Sequence, residues 1–145
     1  MIRHLYDENT SFYASKYGLQ PGDRIVEPIF QTGFSKHHAI YLGIDAHGTE
    51  WISENQKFAG VRLIKASEYF QPGKKYKIQK FTGRYADRVL AVNRALALLG
   101  NPYDLILYNC EHYASYVQTG KPESLQVKNG LLFTCSVLLL AILTR

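Results

Sequence analysis

Asn109-Cys110-Glu111-His112 sets a thiol directly after an asparagine and ahead of Tyr113, Ala114 and Val117, an apolar stripe at helical spacing. Asparagine is a favoured N-cap, so Cys110 falls in the first turn of a predicted helix, where unpaired N–H groups and the helix dipole favour an anion. The chemistry this suits is nucleophilic attack by a thiolate, yet a free thiol near pKa 8.5 is mostly protonated at neutral pH. The dipole contributes about 0.3–1 kcal/mol, up to about 2 when partly buried, against about 1.36 kcal/mol per pKa unit. Full activation therefore needs a partner cation, which a nearby imidazolium would supply.

Five histidines compete for that role. Lys36-His37-His38-Ala39-Ile40-Tyr41-Leu42-Gly43 reads as a strand, on which His37 and His38 point to opposite faces, so only one of them can aim at the helix. His112 is two residues from Cys110 on the same helix and is rotated away from the sulfur. His4 and His47 fall in the lead-in and in a turn. A zinc site built from the histidine pair, Cys110 and His112 lacks the usual ligand spacing. The reading therefore calls for no metal and no cofactor. A buried cysteine is more often a small apolar filler, but Asn109, Glu111 and His112 make a poor apolar surround.

The elements that must hold this pair are legible in outline. Residues 1–18 read as an irregular or short helical lead-in ending at Gly18, and Pro21-Gly22-Asp23 as a turn. Residues 24–30 and 38–42 have the character of strands, with Pro28 hinting at an edge or a bulge. Residues 44–49 form a turn that closes a hairpin with 50–55, and residues 61–64 and 75–79 add further strands. Val89, Val92, Leu96 and Leu99 predict a helix over residues 85–99 that stops at Gly100 and Pro102. The cysteine helix should end at Gly120 before Pro122. The pattern is that of an α+β domain, a small antiparallel sheet with the Cys110 helix packed against it.

Length and composition agree with one packed domain: 145 residues, 46% hydrophobic and 20% charged. Cys110 and Cys135 lie in unlike contexts, which argues against a structural disulfide, and the first nine residues lack the apolar core of a signal peptide, so a reducing intracellular setting is expected. The net charge of +5 is partly gathered in Lys74, Lys75, Lys77, Lys80, Arg84 and Arg88. That stretch reads as a solvated face or one suited to an anionic membrane surface, and no nucleic-acid-binding motif accompanies it. Residues 131–143 are almost wholly apolar. As a helix they reach about 20 Å against roughly 30 Å for a bilayer core, so the segment is either a shallow membrane tail or a buried terminal helix.

Pro21-Gly22-Asp23, His37 within HHAIYLG, Asn109-Cys110-Glu111-His112-Tyr113 and the trailing run from Thr119 to Val127 together resemble the lecithin:retinol acyltransferase-like family, in the family's order. The resemblance implies a circularly permuted papain-like fold over residues 20–127, preceded by a lead-in at 1–19 and followed by an apolar tail at 128–145. It makes Cys110 the nucleophile and His37 the general base, with His38 a lesser alternative. Family members with acyltransferase activity commonly carry a second histidine on the strand after the hairpin. Here that stretch is Trp51-Ile52-Ser53-Glu54-Asn55 and holds none. A third polar residue must then orient His37, Asn55 or Glu54, and Asn55 is narrowly preferred because papain-like enzymes use an amide there.

The expected activity is thiol-dependent acyl transfer or phospholipase-type hydrolysis of a lipid ester through an acyl-cysteine. The partners expected are a phospholipid or other acyl lipid and a membrane surface reached through the tail. The alternatives are a cysteine peptidase or amidase, and a non-catalytic membrane-binding module of the same fold. Deleting residues 131–145 should reduce recovery with membranes in a flotation assay; if the truncated chain instead unfolds or precipitates, the segment belongs to the core.

Overall fold

The computed structural model of the chain describes residues 2–3, 11–29 and 36–131. Its centre is a strand buried on both sides. β3 (Lys36–Asp45) carries the run Ala39-Ile40-Tyr41-Leu42-Gly43 with no polar alternation, the pattern of a strand covered on both faces. β3 pairs antiparallel with β2 (Arg24–Pro28) on one side and with β4 (Glu50–Gln56) on the other. β5 (Gly60–Lys65) extends the sheet beyond β4, and β6 (Lys77–Gln79) extends it beyond β2, giving the order β5-β4-β3-β2-β6. A short strand, β1 (Ile2–Arg3), also pairs with β3, opposite Asp45 and Ile44.

The two faces of the sheet have different covers. On one face Ile40, Leu42 and Val61 meet α3 (Tyr85–Ala97) and α4 (Cys110–Thr119) through Ala91, Val92, Ala95, Tyr113, Ala114 and Val117. On the other, Ile25, Ala39, Tyr41 and Ile52 pack with Leu19, Ala66, Tyr69 and Phe70, joined by Tyr13 and Tyr17 of α1 (Phe12–Tyr17). The single turn α2 (Ala66–Tyr69) supplies Ala66 and Tyr69 to this second cluster. Glu50 ties α1 down: its two carboxylate oxygens accept the N–H groups of Tyr13 and Ala14 at 2.8 and 2.7 Å, and Tyr41 Oη donates to one of them.

Most of the expected strands and both expected helices are present, with instructive shifts. The hairpin between β3 and β4 turns at Ala46–Gly48, where Asp45 Oδ1 accepts the N–H of His47 and of Thr49. α3 buries Ala91, Val92 and Ala95, whereas Val89 and Leu96 are half-buried and Leu99 is exposed. Its inner face is thus rotated from the expected stripe, because small alanines let α3 approach the sheet and α4 closely. α2 was not expected; four residues are too few to show a helical period. Residues 125–131 are helical, while the apolar run from 132 onward, with the tail expected there, lies outside the described residues. Among the described residues, no helix is long and apolar enough to cross a membrane.

The basic stretch is not simply a solvated face. Asp23 is fully buried, and its carboxylate accepts from Arg88 Nη1 at 2.9 Å, Lys80 Nζ at 3.1 Å, and the N–H groups of Phe81 and Gln20. Arg88 also donates to the carbonyls of Pro21 and Phe81, and Lys74 pairs with Glu27 at 2.6 Å. Four of the six cations are therefore in ion pairs, three with acidic residues of distant segments and Arg84 with Asp87 in the first turn of α3. Asp23→Ala leaves the half-buried Arg88 without its carboxylate, with only the two carbonyls as acceptors, and should cost about 3 kcal/mol in urea unfolding, since removing one member of a buried ion pair typically costs roughly 3–5 kcal/mol.

Candidate active site

α4 begins where the sequence places it. Asn109 accepts from the N–H groups of Glu111 and His112 at 2.9 and 3.0 Å, and His112 Nδ1 accepts the Asn109 N–H in return. His112 is thereby engaged in the cap, away from the sulfur. Cys110, the next residue, is buried, and its Sγ lies 3.7 Å from the Lys36 carbonyl at the start of β3. The helix that carries the thiol is thus pinned against the strand that carries the histidines.

Strand alternation sorts the rest. His37 and Ala39 share one face of β3, and the register pairs Ala39 with Glu54 and Glu54 with Arg62. His37, Glu54 and Arg62 therefore converge on that face. His37 Nε2 stands 2.6 Å from Glu54 Oε2, while Arg62 Nε and Nη2 donate to the other oxygen, Oε1, at 2.9 and 2.7 Å. The glutamate side chain is only 5% exposed and that of His37 18%. Cys110 is close enough to act on the charge of the imidazole, and both line the same space. With Nε2 on Glu54, the other ring nitrogen, Nδ1, is left outside that bond.

The electrostatics follow from this arrangement. Burial opposes a charge on His37, but the hydrogen bonds and charges of Cys110 and Glu54 outweigh it and raise the imidazole to about 9. Burial likewise works against ionised Glu54, and its bonds to His37 and Arg62 more than offset this, holding the carboxyl below its ordinary range. A cation beside a thiol is what a thiolate needs.

Asn55, the preferred orienting residue, does not touch His37. It is the neighbour of Glu54 on β4 and so points to the opposite face, where its Nδ2 donates to the Tyr108 carbonyl at 2.8 Å, just ahead of the cysteine helix. Glu54, the other candidate, has the position for which Asn55 was chosen. His38 points away as well; it is buried near Arg24 and Glu111, and burial together with Arg24 lowers it to about 4. Arg62 went unnoticed in the sequence, although the β4–β5 hairpin register would have placed it opposite Glu54.

A strap completes the frame. Glu111 Oε2 accepts from Ser124 Oγ at 2.7 Å and from the Gln126 N–H at 3.0 Å, and Gln126 in turn binds Lys36 through both its amide groups. The chain after α4 is thereby stapled to the start of β3, one residue from His37. The sulfur, the imidazole and Glu54 open on a cleft of about 1450 Å³, walled in part by Ile64, Tyr69, Tyr103, Leu105 and Ile106. Among the described residues, no group of three or more histidine, cysteine or acidic side chains is arranged to hold a metal ion.

Residues 18–123 match the family model of lecithin retinol acyltransferase. The chain belongs to that family. A comparison with curated proteins finds no match. Membership in the lecithin retinol acyltransferase family points to an acyltransferase-type thiol enzyme, and the α+β architecture, with the histidine strand ahead of the cysteine helix, is consistent with it.

Glu54→Gln keeps the shape of the clamp but removes the charge that favours the imidazolium. The alkaline limb of a pH–rate profile on a water-soluble ester should lie near 9 in the native chain. In the variant it should move down toward the ordinary histidine value of about 6.5, with kcat reduced about tenfold or more. Asn55→Ala should leave that limb in place.

Proposed function

We propose that the chain is a thiol-dependent acyltransferase or acyl hydrolase acting on lipid esters. The observation that carries this reading is the row of Cys110, His37, Glu54 and Arg62 at the wall of a large, partly apolar cleft. Cys110 and His37 act as the catalytic pair, and Glu54 as the residue that orients the imidazole and supports its charge.

The proton of the Cys110 thiol passes to His37, and the sulfur attacks the ester carbonyl to form a tetrahedral intermediate. Among the first-turn donors of α4, the N–H groups of Glu111 and His112 are taken by the Asn109 cap. The Cys110 N–H is thus the helix donor left for the developing oxyanion. Collapse breaks the carbon–oxygen bond, and the departing lysolipid alkoxide takes its proton from His37. The acyl-cysteine then passes its acyl group to water or an amine, which gives its own proton to His37, and the thiolate is released.

A lipid rather than a soluble ester is favoured by the cleft itself. Its apolar wall suits an acyl chain, and Lys36, Lys57, Lys74 and Lys75 line the same space and suit a phosphate. A membrane surface is the corresponding partner, and a membrane-associated setting follows from the same reading.

Purified protein mixed with phosphatidylcholine vesicles should show an acyl adduct by intact-mass spectrometry together with lysophospholipid, and Cys110→Ser should abolish both. Neither product from folded, vesicle-bound protein would overturn the lipid reading, and cleavage in a peptide-substrate screen would replace it with an amidase.

A further inference from the structure

Two neighbouring turns beside the cleft carry a feature that neither the core nor the chemistry uses. At the tip of the β4–β5 hairpin Phe58 is 88% exposed, and in the turn before α4 Leu105, Ile106 and Leu107 are 65%, 58% and 76% exposed. The segments that bear them are locked together. The Val61 N–H donates to the Asn101 carbonyl and the Gly100 N–H to the Val61 carbonyl, each at 2.8 Å. At Gly60, where φ is +69°, a Cβ would stand 2.3 Å from the Asn101 oxygen, so only glycine allows this approach.

Both turns also satisfy their own backbone. Asp104 Oδ1 accepts the N–H groups of Ile106 and Leu107 at 2.9 and 2.7 Å, Asp104 and Tyr108 exchange backbone bonds at 3.1 Å, and Asn109 Nδ2 donates to the Leu105 carbonyl. Gln56 Oε1 does the same for the N–H groups of Phe58 and Ala59. Donors paired in this way lose nothing on entering a poorly hydrated layer, where an unpaired one would cost several kcal/mol. Charge completes the picture. Lys57 Nζ lies 5.5 Å over the Phe58 ring, and exposed Lys36 and Lys75 line the cleft with Lys57, while Lys74 beside them is paired with Glu27.

We propose that these two turns are the surface by which the chain docks on an anionic lipid bilayer, with Phe58, Leu105, Ile106 and Leu107 in the interfacial layer and the lysines at the phosphates. This inference rests on the lipid-ester reading of the Cys110 site and adds the route by which substrate reaches it. Leu105 and Ile106 also line the cleft, so the docking surface runs directly into its mouth. Interfacial side chains reach about 5–10 Å into the boundary between headgroups and acyl chains, where lipid esters lie. Four protruding side chains fall far short of the roughly 20–30 residues a side that a stable protein interface uses.

The test uses the full chain with Cys110→Ser and Cys135→Ser, an environment-sensitive fluorophore on Leu107→Cys, and, as control, the same label on Leu90→Cys at the exposed face of α3. With vesicles of equal phosphatidylcholine and phosphatidylserine, the label at 107 should shift to the blue and be quenched by spin-labelled acyl chains, while the label at 90 stays unchanged. A bound chain with no shift at 107 overturns the proposal. A label at 107 already blue without vesicles also overturns it, since that places another part of this chain over the turn. In the otherwise native chain, Phe58→Asp and Leu107→Asp, neither of which lines the cleft, should each weaken vesicle affinity about tenfold. Both should leave turnover of a short-chain soluble ester unchanged, and native affinity in both variants overturns the proposal. Because the fluorescence measurement needs no catalysis, absence of Cys110-dependent turnover on any ester would sink the catalytic reading while leaving docking intact.

Discussion

The carboxylate of Glu54 is the constraint on which the rest of the site depends. One oxygen holds His37 and the other is held by Arg62, so the imidazole is fixed in direction by a group that is itself unable to turn. A carboxylate buried alone would favour its neutral form. Two cations on its two oxygens remove that tendency, and the resulting charge, together with Cys110, raises the pKa of the half-buried imidazole. The arrangement also fits a β4 that carries no histidine, since Glu54 already holds His37. An imidazole in that place would orient His37 by hydrogen bonding, whereas a carboxylate orients it and adds a charge of opposite sign. The cost is a further partner, and Arg62 on the adjacent strand supplies it.

Register decides which side chains can join this row. β3 and β4 present His37 and Glu54 to the face shared with Tyr69, and His38, Ser53 and Asn55 to the face shared with α4. A slip of one residue would exchange the two sets completely. The buried polar groups on the α4 face therefore serve support rather than chemistry: Tyr113 Oη donates to Ser53 Oγ at 2.6 Å, and Asn55 holds the Tyr108 carbonyl. Both fasten the helix that carries the sulfur to the sheet that carries the imidazole. Cys110 and His37 come from elements 73 residues apart in the chain, and such fasteners give them a fixed separation.

Much of this was legible in the sequence because it is local. The Asn109 cap, the glycine stops at Gly18 and Gly120, the β3–β4 hairpin and the strand bearing His37 all follow from short-range rules. What escaped was decided across strands or by packing. Asn55 and Glu54 differ in sequence by one step, and only the pairing of Glu54 with Ala39 and Arg62 shows which of them faces His37. The basic stretch looked like surface because spacing alone cannot show a buried anion such as Asp23, which binds Arg88 and the head of the exposed Lys80 from far along the chain. Pro21-Gly22-Asp23, weak as a motif, is for the same reason central to the fold.

The run from Thr119 to Val127 shows how a segment distant from the chemistry can belong to it. Ser124 is buried, donates to Glu111 and accepts from Asn109, so it joins the N-cap of α4 to the chain that follows the helix. Gln126 continues the connection to both backbone groups of Lys36, whose carbonyl also meets the Cys110 sulfur. The loop after α4 thus closes a polar ring through the helix start, the strap and the first residue of β3. Such a ring fixes the start of the helix that carries the cysteine. The imidazole is held by charge from the sheet, and the sulfur by the Lys36 carbonyl, to which it donates and which Gln126 of the strap also holds. Freedom is then left mainly to what enters the cleft between them.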